Sequence, residues 1–213
     1  MENVNKFYER FPGSYLAYTL FIFSGIFLTI AAILYSNAES TFSLLTTYIS
    51  DLGAASRDSS LVFAAGMIIT SPLRVVFGLY LLKYLEIRDS DSKTLKNTAV
   101  AMIVGAVGSI ALASFPHDVF RIEHMLGSLV YFVSVVIIQI NISKLELRIN
   151  NIPKYLPALG ILVVVSYIMF LTFEISEIVF VGFRYIAIGL EWMAFFTIMI
   201  WLVMHGYYIQ KTK

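Results

Sequence analysis

The chain has 213 residues, of which 59% are hydrophobic and 14% charged, with a mean hydropathy of +0.81 and a formal charge of +1. So little charge cannot cover a water-facing surface, which excludes an ordinary soluble domain, and the near-zero balance excludes the basic stripe of a nucleic-acid binder. Cysteine is absent, so disulfides, thiolate catalysis and iron–sulfur clusters are excluded as well.

Crossing the hydrocarbon core takes about 20 apolar residues in a helix. Six stretches supply them: about 14–36, 59–84, 95–115, 120–144, 153–175 and 182–209. None alternates with period two as a barrel strand would, and a bilayer requires backbone groups to be paired internally, so helices are predicted. The expected fold is all-α, a single domain over 1–213 forming an integral bundle of six transmembrane helices. The first run, Tyr15 to Tyr35, exceeds the roughly 7–15-residue core of a signal peptide and reads as a retained span.

Between the first two spans lies "TYISDLGAASRDSS", residues 47–60. Asp51 and Gly53 here fit a turn, the acid bonding local N–H groups and the glycine taking positive φ. The competing reading has Asp51 as a carboxylate facing a pocket. The second span contains Pro72, which is expected to kink it, and Arg74, which is expected to snorkel toward the cytoplasm. In the third, Ala101, Gly105, Ser109 and Ala113 recur every four residues, a small-residue face that favours close helix packing over a ligand groove.

"FPHDVFRIEH" leads into the fourth span. Asp118 fits the positive end of that helix dipole. His117 and His124 are seven residues apart, roughly 10 Å along a helix, too far to share one zinc at about 2.0–2.1 Å. No metal and no cofactor is therefore expected, and His124 is expected to hydrogen-bond Asp51. Glu191 lies about 10 Å inside the sixth span, where an acid is costly unless paired or hydrated. It shares a helical face with Arg184, beyond direct reach. His205 lies near the far end of that span, which excludes haem ligation with the other histidines.

Lys6, Arg10, Lys83, Arg88, Lys93, Lys96, Lys144, Arg148, Lys154, Lys211 and Lys213 fall on one side, and Arg57, Arg121 and Arg184 on the other. That bias predicts a multi-pass cell-membrane protein with both termini cytoplasmic, so Asp51, Asp118, His124 and the Glu191 end of the last span face outward.

The stretches "SDLG", "LVFAAGMII" and "FPHDVFRIEHMLGSLVYF" resemble a prokaryotic six-span family, domain of unknown function 998. A wider similarity reaches DRAM- and Sfk-type membrane proteins, which also carry a Ser-Asp-x-Gly loop and a later helix-start histidine. The likeness covers nearly the whole chain in span count and loop order. It implies an outward polar site built on Ser50, Asp51, Gly53, Asp118 and His124, and a direction toward lipid handling. Two positions depart from the family pattern: His117 stands where an acid is usual, and "SPLR" replaces a small residue of the second span.

Two functions follow as expectations. One is a membrane protein with an outward-facing polar pocket that binds, and in an enzymatic version remodels, a lipid headgroup or small amphiphile. The catalytic candidates would be His124 as general acid–base, Asp51 orienting it, and Glu191, with Ser50 the nearest nucleophile. The ligand-binding set is Ser50, Asp51, Gly53, Asp118, His124 and Glu191, and the partner is membrane lipid. The other function is a non-catalytic subunit of a larger membrane complex, with membrane-protein partners. A transporter ranks third, since no inverted repeat supports it.

Overall fold

The computed structural model describes residues 8, 10–36, 41–88, 91–179 and 182–212; Lys6 and Lys213, counted in the charge bias, lie outside them. Six long helices dominate: α1 (Gly13–Tyr35), α2 (Ser60–Glu86), α3 (Ser92–Ser114), α4 (Arg121–Arg148), α5 (Tyr155–Val179) and α6 (Arg184–Lys211). All six are long and apolar enough to cross a membrane, and among the described residues there is no strand. The protein is a multi-pass, all-helical membrane protein.

Each helix packs on its successor, and α6 closes back on α1. Short connections impose this neighbour order, and the result is a closed ring of six helices around a central lumen. One end gathers the termini: the Tyr18 hydroxyl donates to Gln210 Oε1 at 3.1 Å, and that of Tyr208 to the Asn151 carbonyl at 3.1 Å. The opposite end carries the loop 41–59 and the α3–α4 turn. Outward faces remain apolar, with Leu61 79% and Val107 63% exposed. Lipid rather than water suits such a surface.

Helix ends overrun the apolar stretches where polar residues find partners. α4 continues to Arg148 because Glu146 turns inward and the Arg148 guanidinium reaches Asp91 at 2.7 Å. Asp91 also caps α3 by accepting the Thr94 N–H at 3.0 Å and its hydroxyl at 2.8 Å. The Thr94 N–H and hydroxyl, then Arg148, hold this carboxyl well below the usual range. α2 runs on through Pro72, and the hydroxyls of Thr70 and Ser71 fold back on the Gly66 and Met67 carbonyls at 2.7 and 2.6 Å.

Of the small-residue face of α3, Gly105 meets the Ser134 side chain of α4 and Ser109 meets Ser71 of α2, while α3 and α4 approach backbone to backbone at Gly108 and Gly127 beside it. A Cβ on Gly108 would lie 2.7 Å from the Tyr131 nitrogen, and one on Gly127 would lie 2.6 Å from the Leu112 nitrogen. Gly53 departs from expectation. The one positive φ among the described residues is at Gly182, and Gly53 is instead required by the Phe63 ring, 2.6 Å from where its Cβ would be.

Candidate functional site: a covered cavity in the helix ring

The loop 41–59 forms the cover. Its centre is a 3₁₀ turn, Ser50–Gly53, pinned by the wholly buried Leu52. The Trp192 indole N–H donates to the Thr47 carbonyl at 2.9 Å, and the Ile49 N–H donates to Glu191 Oε2 at 2.6 Å. The Ser50 N–H is also directed at this carboxylate. From the α3–α4 turn, Asp118 accepts the N–H groups of Ala55 and Ser56 at 2.8 and 3.0 Å. Burial pushes the Asp118 carboxyl up, but these N–H groups and the Ser56 hydroxyl outweigh it and set the carboxyl below its ordinary value. Asp118 thus ties two loops together rather than capping α4, whose N-cap, Phe120, makes no side-chain capping bond.

Asp51 sits on the outside of this cover. Its Oδ2 accepts the Tyr48 N–H at 3.0 Å and lies 3.6 Å from the Arg184 guanidinium. Its Oδ1 lies 3.2 Å from His117 Nε2. That separation suits an ion pair when the ring is protonated, although the nitrogen is not aligned for a hydrogen bond. His124 is engaged elsewhere. Its Nδ1 faces the Phe115 carbonyl at 2.9 Å, and because a carbonyl only accepts, that nitrogen carries the proton. The two imidazoles meet edge to face at 5.7 Å. His117, not His124, is therefore the partner of Asp51, since the α3–α4 turn brings the earlier histidine over the 3₁₀ turn. Arg184 likewise serves Asp51 rather than Glu191.

Beneath the cover the lumen holds a cavity of about 110 Å³. Ile49, Ser50 and Glu191 form its roof, aromatic rings such as Phe63, Phe132 and Phe170 its walls, and Arg74, Tyr131 and Tyr167 its floor. Glu191 is 8% exposed, so the acid is spent on the roof backbone and does not face lipid. A second cavity of about 100 Å³ lies toward the termini end and shares Arg74 and Tyr131 with the first. Arg74 does not snorkel. Its guanidinium donates to the Tyr131 hydroxyl at 2.8 Å and to the Ser71 and Ser109 hydroxyls at 3.0 and 2.8 Å.

Below the second cavity, His205 and Glu146 form a pair 1% exposed on each side, with Nε2 2.7 Å from Oε1. His205 Nδ1 donates to the Trp201 carbonyl at 2.7 Å, and the two rings stack at 4.1 Å. Among the described residues no three His, Asp or Glu side chains converge as metal ligands would.

Of the residues singled out in the sequence, Ser50 and Glu191 line the cavity; Asp51, Gly53, Asp118 and His124 stand in the cover and its supports. At the floor stand Arg74, whose sequence expectation of snorkelling is overturned, and Tyr131, which the sequence did not single out. Their signal was the pairing of "SPLR" on α2 with Ser109 in the small-residue face of α3.

A family model described as Protein of unknown function (DUF998) matches residues 21–208. The chain belongs to the DUF998 family. No curated protein and no solved structure matches it. The DUF998 match takes in the cover, the α3–α4 turn, the Glu146–His205 pair and, apart from Leu20, the residues lining both cavities.

Proposed function

We propose that this DUF998 protein binds a small amphiphile inside its helix ring, with the loop 41–59 as the cover of the site. The observation that supports it is the cavity between Glu191 and Arg74, polar at both ends and aromatic between them. Binding sites of this kind are concave and mostly apolar, with a few placed polar groups. Binding is favoured over remodelling because the catalytic arrangement read from the sequence is not formed: His124 is committed to Phe115, and Asp51 to Tyr48, His117 and Arg184. We further propose that the loop end faces outward across a cell membrane, which the charge bias supports.

The test is extraction and mass spectrometry of amphiphiles that copurify with the detergent-solubilised protein. Ser24 borders both cavities, so Ser24→Phe should empty the site while the helical circular dichroism persists. A wild-type protein that neither carries an amphiphile nor takes one up when supplied would end this reading. Stoichiometric copurification of another membrane protein without bound amphiphile would favour a complex subunit instead.

A further inference from the structure

We infer that the cavity holds its ligand by an anionic headgroup at Arg74, the ligand being a single-chain amphiphile with a carboxylate or phosphate head. This rests on the amphiphile reading above and adds the sign of the head and the residue that receives it.

Arg74 lies near the middle of α2, about 20 Å from either end at 1.5 Å per residue. A side chain there could lean toward the nearer interface and hydrate its charge. It does the reverse. Its contact with Ser71, three residues earlier, folds it back toward the loop end and into the lumen. A guanidinium keeps its charge in such a place, and a charge within the bilayer is expensive unless an opposite charge compensates it. Yet the three hydrogen bonds of Arg74 all go to neutral hydroxyls, those of Tyr131, Ser71 and Ser109. Among the described residues no carboxylate lies within ion-pair distance of it. Glu191 borders the same cavity, but its oxygens are occupied by the backbone of the cover.

The hydroxyls orient the guanidinium without neutralising it. Three of its five N–H groups are used by these bonds, leaving the Nε–H and one Nη1–H. Arg74 borders both cavities, so an oxyanion bound to it would find apolar space for a chain on either side. Cavities of about 110 and 100 Å³ on the two sides of Arg74 are small for the two chains of a glycerophospholipid, so the ligand is assigned a single chain.

The test uses the purified full chain and quenching of its tryptophan fluorescence, since Trp201 borders the second cavity; Trp192, which holds the cover through Thr47, is left in place. Bromododecanoate serves as quencher, and dodecanoate, dodecyl phosphate, dodecanol and dodecyltrimethylammonium compete against it. We expect the carboxylate or the phosphate to bind at least about tenfold more tightly than the alcohol, the size of one charge-assisted hydrogen bond, and the cation to bind weakest. The tighter of the two anions names the head. Arg74→Gln should erase that preference and Arg74→Lys should keep part of it. Equal binding of alcohol and anions overturns the anionic assignment and leaves amphiphile binding standing; failure of every probe overturns both. Because the headgroup series on the wild-type protein decides the matter, a misfolded Arg74 variant does not protect the inference.

Discussion

Replacing Glu191 should unfasten the cover while leaving the helix ring in place. Two backbone N–H groups of the loop, those of Ile49 and Ser50, point at this one carboxylate, the first at 2.6 Å. In Glu191→Leu both lose it. A buried donor left unmade costs about 1–3 kcal/mol, but the variant also removes the cost of burying an acid, so we take the net as about 2–3 kcal/mol on local opening of the loop. That corresponds to about 30- to 140-fold faster hydrogen exchange at these two amides, given tenfold per 1.4 kcal/mol. Glu191→Gln keeps an acceptor oxygen in place and should change exchange by less than about tenfold, the worth of one ordinary hydrogen bond. The assay is hydrogen–deuterium exchange of the peptide covering residues 47–53, with peptides from the middle of α4 as internal reference. If Glu191→Leu leaves the loop peptide within threefold of wild type while the reference is unchanged, the carboxylate does not hold the cover, and the reasoning fails.

Gly127→Leu should force α3 and α4 apart, because even its Cβ would sit 2.6 Å from the Leu112 nitrogen; overpacking of this kind costs about 1–3 kcal/mol or more, read as a lower melting temperature or lost folded yield. Asp118 has a lowered folded-state pKa, so its contribution is present above the unfolded carboxyl value and lost as pH falls through the folded one. The melting difference between wild type and Asp118→Asn should accordingly be seen at neutral pH and vanish in strong acid. Its persistence there would refute the assignment. For orientation, a cysteine at Ser56 should react with an impermeant thiol reagent in intact cells and one at Ser92 should not; the opposite pattern inverts the protein.

The fold was legible because length and hydropathy speak directly to a bilayer. Six apolar runs gave six helices with ends displaced by only a few residues. The overrun of α4 falls where Glu146 and Arg148 are paired, which hydropathy cannot register. The site was legible in part. Glu191 stood out on cost alone, since an acid deep in a span must be doing something. Arg74 stood out equally, but a single span does not reveal whether a long side chain turns to the lumen or to the interface. That is decided by Tyr131 and Ser109 on two other helices. The exchange of His117 for His124 has the same origin: the α3–α4 turn, not the helical spacing, determines which ring meets Asp51.

The Glu146–His205 pair joins α4 to α6, which are not neighbours in the ring, so it crosses the lumen. The Trp201 carbonyl already claims the Nδ1 proton. Nε2 and Oε1, 2.7 Å apart, then satisfy each other within the bundle. Around the pair Ile142, Leu145, Leu156 and Ile209 are buried to 1% exposure or less. A hydrogen-bonded bar among these buried side chains narrows this end of the ring below the second cavity. On the binding reading proposed above, the space is then a sack, not a pipe, and its ligand would leave by the cover or between the helices.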